Sequence, residues 1–238
     1  MSLPFHYFTY NGRSSLEFNT KISGNGTFAA PEKDIEKQEV PGRSGDLLID
    51  NGKFKNIKIP YEAYITEDFD RSIAALRAFL LSSSGYLRLE DTYHPDEFRL
   101  AAYAGPFDPK VHAVSSGSFK LEFDCMPQRF LKSGEIAFKV NAGETVKIWN
   151  PCEYTAKPEI VVTGTGTFKV NDVTAEIKIN AGTITVDSEI QECHEGTTNR
   201  NGAVALSGYK FPELVPGENS IEAGKNIYLQ IKPRWWTI

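Results

Sequence analysis

Scarcities set the first limits on this chain. Cysteine is scarce: Cys125, Cys152 and Cys193 are odd in number and widely spaced, which argues against a disulfide framework and fits single buried thiols in a reducing compartment. Histidine is scarce too. His6, His94, His112 and His194 are the only four, and no two stand at the helical spacing of a zinc hydrolase. Long apolar runs are lacking: Ile73 to Leu81 is the longest, is broken by Arg77, and is too short to span a bilayer. Met1-Ser2-Leu3-Pro4-Phe5-His6 has no basic n-region and no apolar core, so synthesis without a secretory signal is expected. Charge lacks a dominant sign. The formal net charge of -5 is spread along the chain, which indicates neither a nucleic-acid clamp nor a polyanionic tail.

What the chain does have is turn formers and β formers. The 238 residues include 19 Gly and 13 Pro with abundant Thr, Val, Ile, Tyr and Phe, a mainly β composition long enough for one large or two small domains. Phe5 to Tyr10 and Leu16 to Ile22 read as short strands joined at Asn11-Gly12, and Ile35 to Val40, Leu47 to Ile49 and Phe54 to Ile65 are strand-like. Within the last, Phe54, Asn56 and Lys58 alternate with Lys55, Ile57 and Ile59. The segment Val40-Pro41-Gly42-Arg43-Ser44-Gly45-Asp46 orders a loop, because proline fixes φ and glycine frees it. Asn51-Gly52 then predicts a two-residue hairpin pairing Leu47 to Ile49 with Phe54 to Ile65. The ladder groups of such an arm, Val40 to Ile65, must lie against something.

One helix is predicted. Phe69, Ile73, Leu76 and Leu80 form an apolar stripe with Phe79 beside it, Thr66 or Asp68 at its start and Gly85 at its end. Tyr86 to Leu89, Phe98 to Phe107 and Ser118 to Cys125 supply a sheet for it to cover. After Ser133 no helical period recurs, and short strands follow at sandwich or jelly-roll spacing: Ile136 to Val140, Thr145 to Trp149, Glu159 to Thr163, Phe168 to Val170, Ala175 to Ile179, Thr183 to Val186, Glu189 to Cys193 and Ile227 to Lys232. Asn180-Ala181-Gly182 is read as a turn among them. The expected domains are therefore residues 1–133 and 134–238.

Candidate chemistry is sparse. Cys193-His194-Glu195 is either a metal-ligand cluster or a strand end, and adjacent strand residues point to opposite faces. Asp187 and Glu189 are either a carboxylate pair for glycoside hydrolysis or calcium, or a solvated turn. Gly164-Thr165-Gly166 lacks the following helix that a phosphate cradle needs. Asn25-Gly26-Thr27 matches a glycosylation acceptor only formally. Trp235-Trp236 is either a saccharide or partner platform or a core-closing plug. No catalytic, metal or cofactor site is expected.

Taken in order, these segments resemble the distal tail protein (Dit) of siphophages and related prophages, a baseplate hub family. In the first half the resemblance rests on Val40 to Asp46, on Leu76 to Leu80 leading through Gly85 to Leu89, on Asp91-Thr92-Tyr93-His94-Pro95-Asp96-Glu97-Phe98-Arg99, and on Phe119 to Phe123 followed by Pro127 to Lys132. In the second it rests on Asn150-Pro151, Lys157 to Ile160, Ile184 to Glu189, Phe211-Pro212, Gly217 to Ile221 and Pro233 to Trp236. The resemblance implies a non-enzymatic virion tail protein. Its N-terminal domain would be a β-sandwich with one α-helix and an extended β-arm, and its C-terminal domain a galectin-like β-sandwich. A homo-hexameric ring below the tail tube protein would join a tail-tip or tail-associated lysin protein and a receptor-binding protein, with DNA passing through without specific binding. Arg43, Leu47 and Phe54 are then candidate intersubunit contacts. The alternative is a lectin-like module recognising host cell-wall saccharide through Trp235 or Trp236.

Overall fold

The structure, a computed structural model, describes residues 5–24, 28–178 and 182–238. The Asn25-Gly26-Thr27 match and most of the Asn180-Ala181-Gly182 turn lie outside the described residues, as does Ile179. The chain divides into two compact units between Arg129 and Phe130, a few residues before the boundary expected at Ser133. The reason is local. Leu131 N–H donates to Trp235 O (2.9 Å) and Arg234 N–H to Gly134 O (2.8 Å), so residues 130–135 are tied to the second unit's last segment.

In the first unit the strands are β1 (Phe8–Tyr10), β2 (Arg13–Ser14), β3 (Thr20–Ser23), β4 (Lys33–Gln38), β5 (Leu47–Phe54), β6 (Ile57–Ile65), β7 (Leu87–Asp91), β8 (Glu97–Ala102), β9 (Lys110–Ala113) and β10 (Ser116–Cys125). One curled sheet runs in the order β2-β1-β7-β8-β10-β6-β3, with β9 on β10. Within it β6 alternates from end to end: it buries Ile57, Ile59, Tyr61, Ala63 and Ile65, exposes Lys58, Pro60 and Glu62 and leaves Tyr64 half-buried. It pairs antiparallel with β10 along its whole length and with β3 on its other edge. Phe123 is the aromatic hub of this core, with Phe8, Tyr10, Tyr61 and Tyr103 at ring-centroid distances of 5.7, 5.1, 5.9 and 5.3 Å.

Helix α1 (Phe69–Ser82) closes the core with the expected stripe: Phe69, Leu76 and Leu80 are buried, and Ile73 and Phe79 pack beside them. Its start differs from the expectation. Asp68 precedes the helix in a left-handed conformation (φ +48°) and makes no side-chain cap. At the other end Ser82 and Ser83 hydroxyls donate to Phe79 O (3.0 and 3.3 Å). Asn19 Nδ2 donates to Ser72 Oγ (2.9 Å), which fixes the helix against the β2–β3 connection.

After β11 (Arg129–Leu131), the second unit contains β12 (Phe138–Val140), β13 (Thr145–Asn150), β14 (Glu159–Gly164), β15 (Gly166–Val170), β16 (Val173–Ile177), β17 (Thr183–Asp187), β18 (Glu192–Glu195), β19 (Thr198–Asn199), β20 (Val204–Leu206), β21 (Gly217–Ala223), β22 (Ile227–Lys232) and β23 (Trp236–Thr237). They form a six-stranded sheet, β12-β22-β14-β17-β18-β19, and a five-stranded one, β13-β21-β15-β16-β20. Both bury one face. Ile160, Val186, Val170, Ile221, Ile227 and Ile231 are fully enclosed in the shared core. The architecture is mainly β with one α-helix, as the composition and resemblance led one to expect.

Leu76 makes the helix dependence measurable. Leu76→Ala removes a fully buried side chain, and the expected loss is about 2–5 kcal/mol, read as a lowered midpoint in denaturant unfolding of the full chain.

Candidate functional site

The β4–β5 hairpin forms a sheet of its own, separate from both cores. Every residue from Ile35 to Lys53 is exposed. Five of them are apolar, and Leu48 is the barest at 61% exposure, with Ile35, Val40, Leu47 and Ile49 near 40%. A two-stranded ribbon cannot bury such side chains on itself and is marginally stable alone. Its tip is the Val40 to Asp46 loop. Arg43 N–H donates to Val40 O (3.1 Å), and Pro41 followed by Gly42 at φ +80° matches a type II turn. The Arg43 guanidinium makes no hydrogen bond or ion pair among the described residues. It lines a concave space of about 390 Å³ with Glu39, Val40, Pro41, Gly45 and Asp46.

Here the structure corrects the predicted hairpin. Asn51-Gly52 is not a turn: β5 runs straight through it to Phe54, and its partner is β4, from Gln38↔Leu47 to Lys33↔Phe54. Gly52, at φ +69°, sits where the register slips past Asp34, so it serves a bulge. Asp50 Oδ1 accepts from Gly52 N–H (2.8 Å), and Asn51 Nδ2 donates to Asp34 and Glu36 (both 3.4 Å). The arm is therefore Lys33 to Phe54 rather than Val40 to Ile65, because β6 belongs to the main sheet. Arg43 lies at its tip, Leu47 at the tip end of β5, and Phe54, half-buried, at its root. The three are spread along one element of about 25 Å and do not converge on a point.

The other candidates are accounted for by packing. Trp235 is buried in the second core. Trp236 stacks on Tyr154 (4.4 Å between centroids) and its Nε1 donates to Thr155 O (3.0 Å). Asp187 is buried and gripped by Arg234, Nη1 to Oδ1 at 2.7 Å and Nη2 to Oδ2 at 2.8 Å, while Nη2 also reaches Glu159 (2.8 Å). Burial pushes the Asp187 carboxyl up, but the Arg234 hydrogen bonds and charge with the Glu189 and Ile190 N–H groups outweigh it, and the net direction is down. Glu189 turns outward toward Lys157 (3.6 Å). So the two carboxylates are not a working pair. Cys193 is buried, His194 contacts Gly196 O (2.9 Å) and Glu195 pairs with Arg200 (2.6 Å). No cluster able to hold a metal occurs among the described residues, and none of their helices is long and apolar enough to cross a membrane.

Three further segments that carried the resemblance hold polar clamps. Asp91 accepts from Tyr61 Oη (2.6 Å) and from the Tyr93 and His94 N–H groups (both 2.9 Å). Asn150 Nδ2 donates to Tyr154 O (3.0 Å) and Leu214 O (3.1 Å). Asn219 Oδ1 accepts from Asn171 Nδ2 and Val215 N–H (both 2.8 Å). Sequence reasoning passed over one exposed residue, Trp149; its signal was the alternation of Val146 and Ile148 with Lys147 and Trp149, which places the indole outward.

Among solved structures, one match is the crystal structure of the SPP1 Dit (gp 19.1) protein, described as a paradigm of the hub adsorption apparatus in phages that infect Gram-positive bacteria. The match covers 95% of this chain and 97% of that one, at a TM-score of 0.74 and 13% sequence identity. The two chains share a fold. No protein-family model matches the sequence, and no curated protein does either.

The Arg234 clasp carries a pH prediction. Because the folded Asp187 carboxyl lies below its ordinary value, its stabilisation is complete above the ordinary carboxylate range and is lost as pH falls through the lower folded value. Arg234→Gln is expected to cost about 2–3 kcal/mol at neutral pH, with an acid-unfolding midpoint at higher pH than wild type and a difference that vanishes in strong acid. Circular dichroism against pH reads both.

Proposed function

We propose that this chain is a structural phage tail protein whose six copies form a ring at the distal end of the tail tube. The ring is a hub that links the tube protein, a tail-tip or tail-associated lysin protein and the parts that adsorb to the host, with a receptor-binding protein among them. The observation that carries this reading is the shared fold over nearly the full length of both chains, the other chain being a hub of an adsorption apparatus.

The exposed arm supports it physically. A closed ring needs a surface on one subunit that meets a different surface on the next. The β4–β5 ribbon offers apolar side chains, two unpaired strand edges and an unengaged guanidinium, which suit strand addition to a neighbouring subunit. In this reading residues 1–133 assemble the ring. The second sandwich, proposed as galectin-like, lies on the ring's outside. A formal charge of -5 suits a conduit through which DNA slides without binding.

The full chain at micromolar concentration is expected to sediment at about six times its 26.5 kDa mass and to give annular particles in negative-stain micrographs. Replacing Lys37 to Leu48 with Asn-Gly, or Arg43→Ala, should shift that population toward monomer without lowering the thermal midpoint. A ring unaffected by loss of the arm would refute the role assigned to it. A monomer at every concentration, alone and with tube and tip proteins, would refute the hub.

A further inference from the structure

We propose that the outer face of the second unit's five-stranded sheet is a saccharide-binding surface, with Trp149 as its stacking platform and a neutral pyranoside as its ligand. The proposal does not rest on ring assembly.

Trp149 is 69% exposed and makes no hydrogen bond, ring contact or cation contact among the described residues. An indole held in water this way is unusual, because tryptophan ordinarily buries its ring and satisfies its N–H. The position is imposed by the strand. Val146 and Ile148 of β13 point into the core, so Lys147 and Trp149 point out. Directly across on β21, Glu218 faces Trp149 and Ser220 faces Lys147. Lys147 Nζ and Glu218 Oε1 meet at 2.9 Å. Further along the same face Glu222 lies opposite Lys169 of β15. The benzo edge of the indole reaches β21 beside Gly217, where a Cβ would come within 3.7 Å of Cη2, and the absence of a side chain leaves that edge uncrowded.

This composition selects the ligand. A protein-binding hot spot needs a contiguous apolar centre that can be desolvated, whereas the outward neighbours of Trp149 on β13, β21 and β15 are Lys, Glu, Ser and Thr. An anionic lipid surface or nucleic acid needs an excess of positive charge, whereas the cations and carboxylates here alternate one for one. A pyranose ring fits both halves of the site. Its axial C–H face is apolar and stacks on an indole, while its equatorial hydroxyls are donors and acceptors at once. Lys147 and Ser220 would donate to them and Glu218 and Glu222 accept. The balanced charge favours a neutral sugar. This site is distinct from Trp235 and Trp236, the residues named in the alternative lectin-like reading.

The test uses the full chain on an array of neutral and acidic oligosaccharides built from glucose, galactose and their N-acetylamino counterparts, with hits followed by calorimetric titration. Binding of a neutral glycan, weakened about tenfold in Trp149→Ala and partly restored in Trp149→Tyr, is the expected result. Trp236→Phe should bind as wild type, and a thermal midpoint unchanged in Trp149→Ala would show the loss to be local. Glu218→Gln should weaken binding without touching the ring. Wild type that binds no glycan, binds only acidic ones, or binds equally well as Trp149→Ala overturns the proposal, and none of these results bears on whether the chain forms a ring.

Discussion

A two-stranded ribbon has no inside, and much of this protein can be understood from that constraint. Each strand of β4–β5 satisfies the other's backbone on one edge only, and neither face is covered. Such an element keeps its direction only if its root is held more firmly than a hairpin can hold itself. The root is held. Lys55 N–H donates to Glu32 O (2.8 Å), and two residues later the chain enters β6, which is hydrogen-bonded to β3 on one edge and β10 on the other. The ribbon therefore extends from a strand paired on both edges, and a load applied at its tip is passed to the β6–β10 ladder and to the aromatic cluster around Phe123.

Legibility in the sequence followed the strength of the physical signal. The α1 stripe was plain because Phe69, Leu76 and Leu80 obey a helical period that nothing nearby contradicts. The alternation of Ile57, Ile59, Tyr61 and Ala63 was equally plain. Asn51-Gly52 misled because a type I′ turn and a glycine bulge draw on the same property, tolerance of positive φ; which one forms is decided by partners distant in sequence. Lys33 and Gln38 claim the two ends of β5, and β10 claims β6. Asp187 and Glu189 share a strand-like spacing, yet the chain turns at Ser188 and the partner that decides Asp187's role, Arg234, is 47 residues away.

Four of the segments that made the chain look familiar contain polar fasteners. Asp91, Asn150, Asn219 and Arg234 each hold backbone or charge in a place where an unpaired polar group would be costly. A few such fasteners with a period-two pattern specify strand order while leaving most side chains free to differ. That is physically compatible with a fold shared at 13% identity. It also explains why the segments read as a set and not singly: each fastener is an ordinary polar residue, and its meaning lies in the two elements it joins.

The cysteines carry a last consequence. Cys125, Cys152 and Cys193 are all buried, and burial pushes the thiols of Cys125 and Cys193 up to about 12 and about 11. Thiolate, the species that attacks disulfides and oxidants, is thus almost absent from them at neutral pH. A particle that packs many copies of one chain at high local concentration meets a hazard that an isolated molecule does not, since one exposed thiolate per copy would weld neighbours at random when surroundings become oxidising. Here burial keeps all three thiols from solvent, and holds Cys125 and Cys193 in the unreactive protonated form as well.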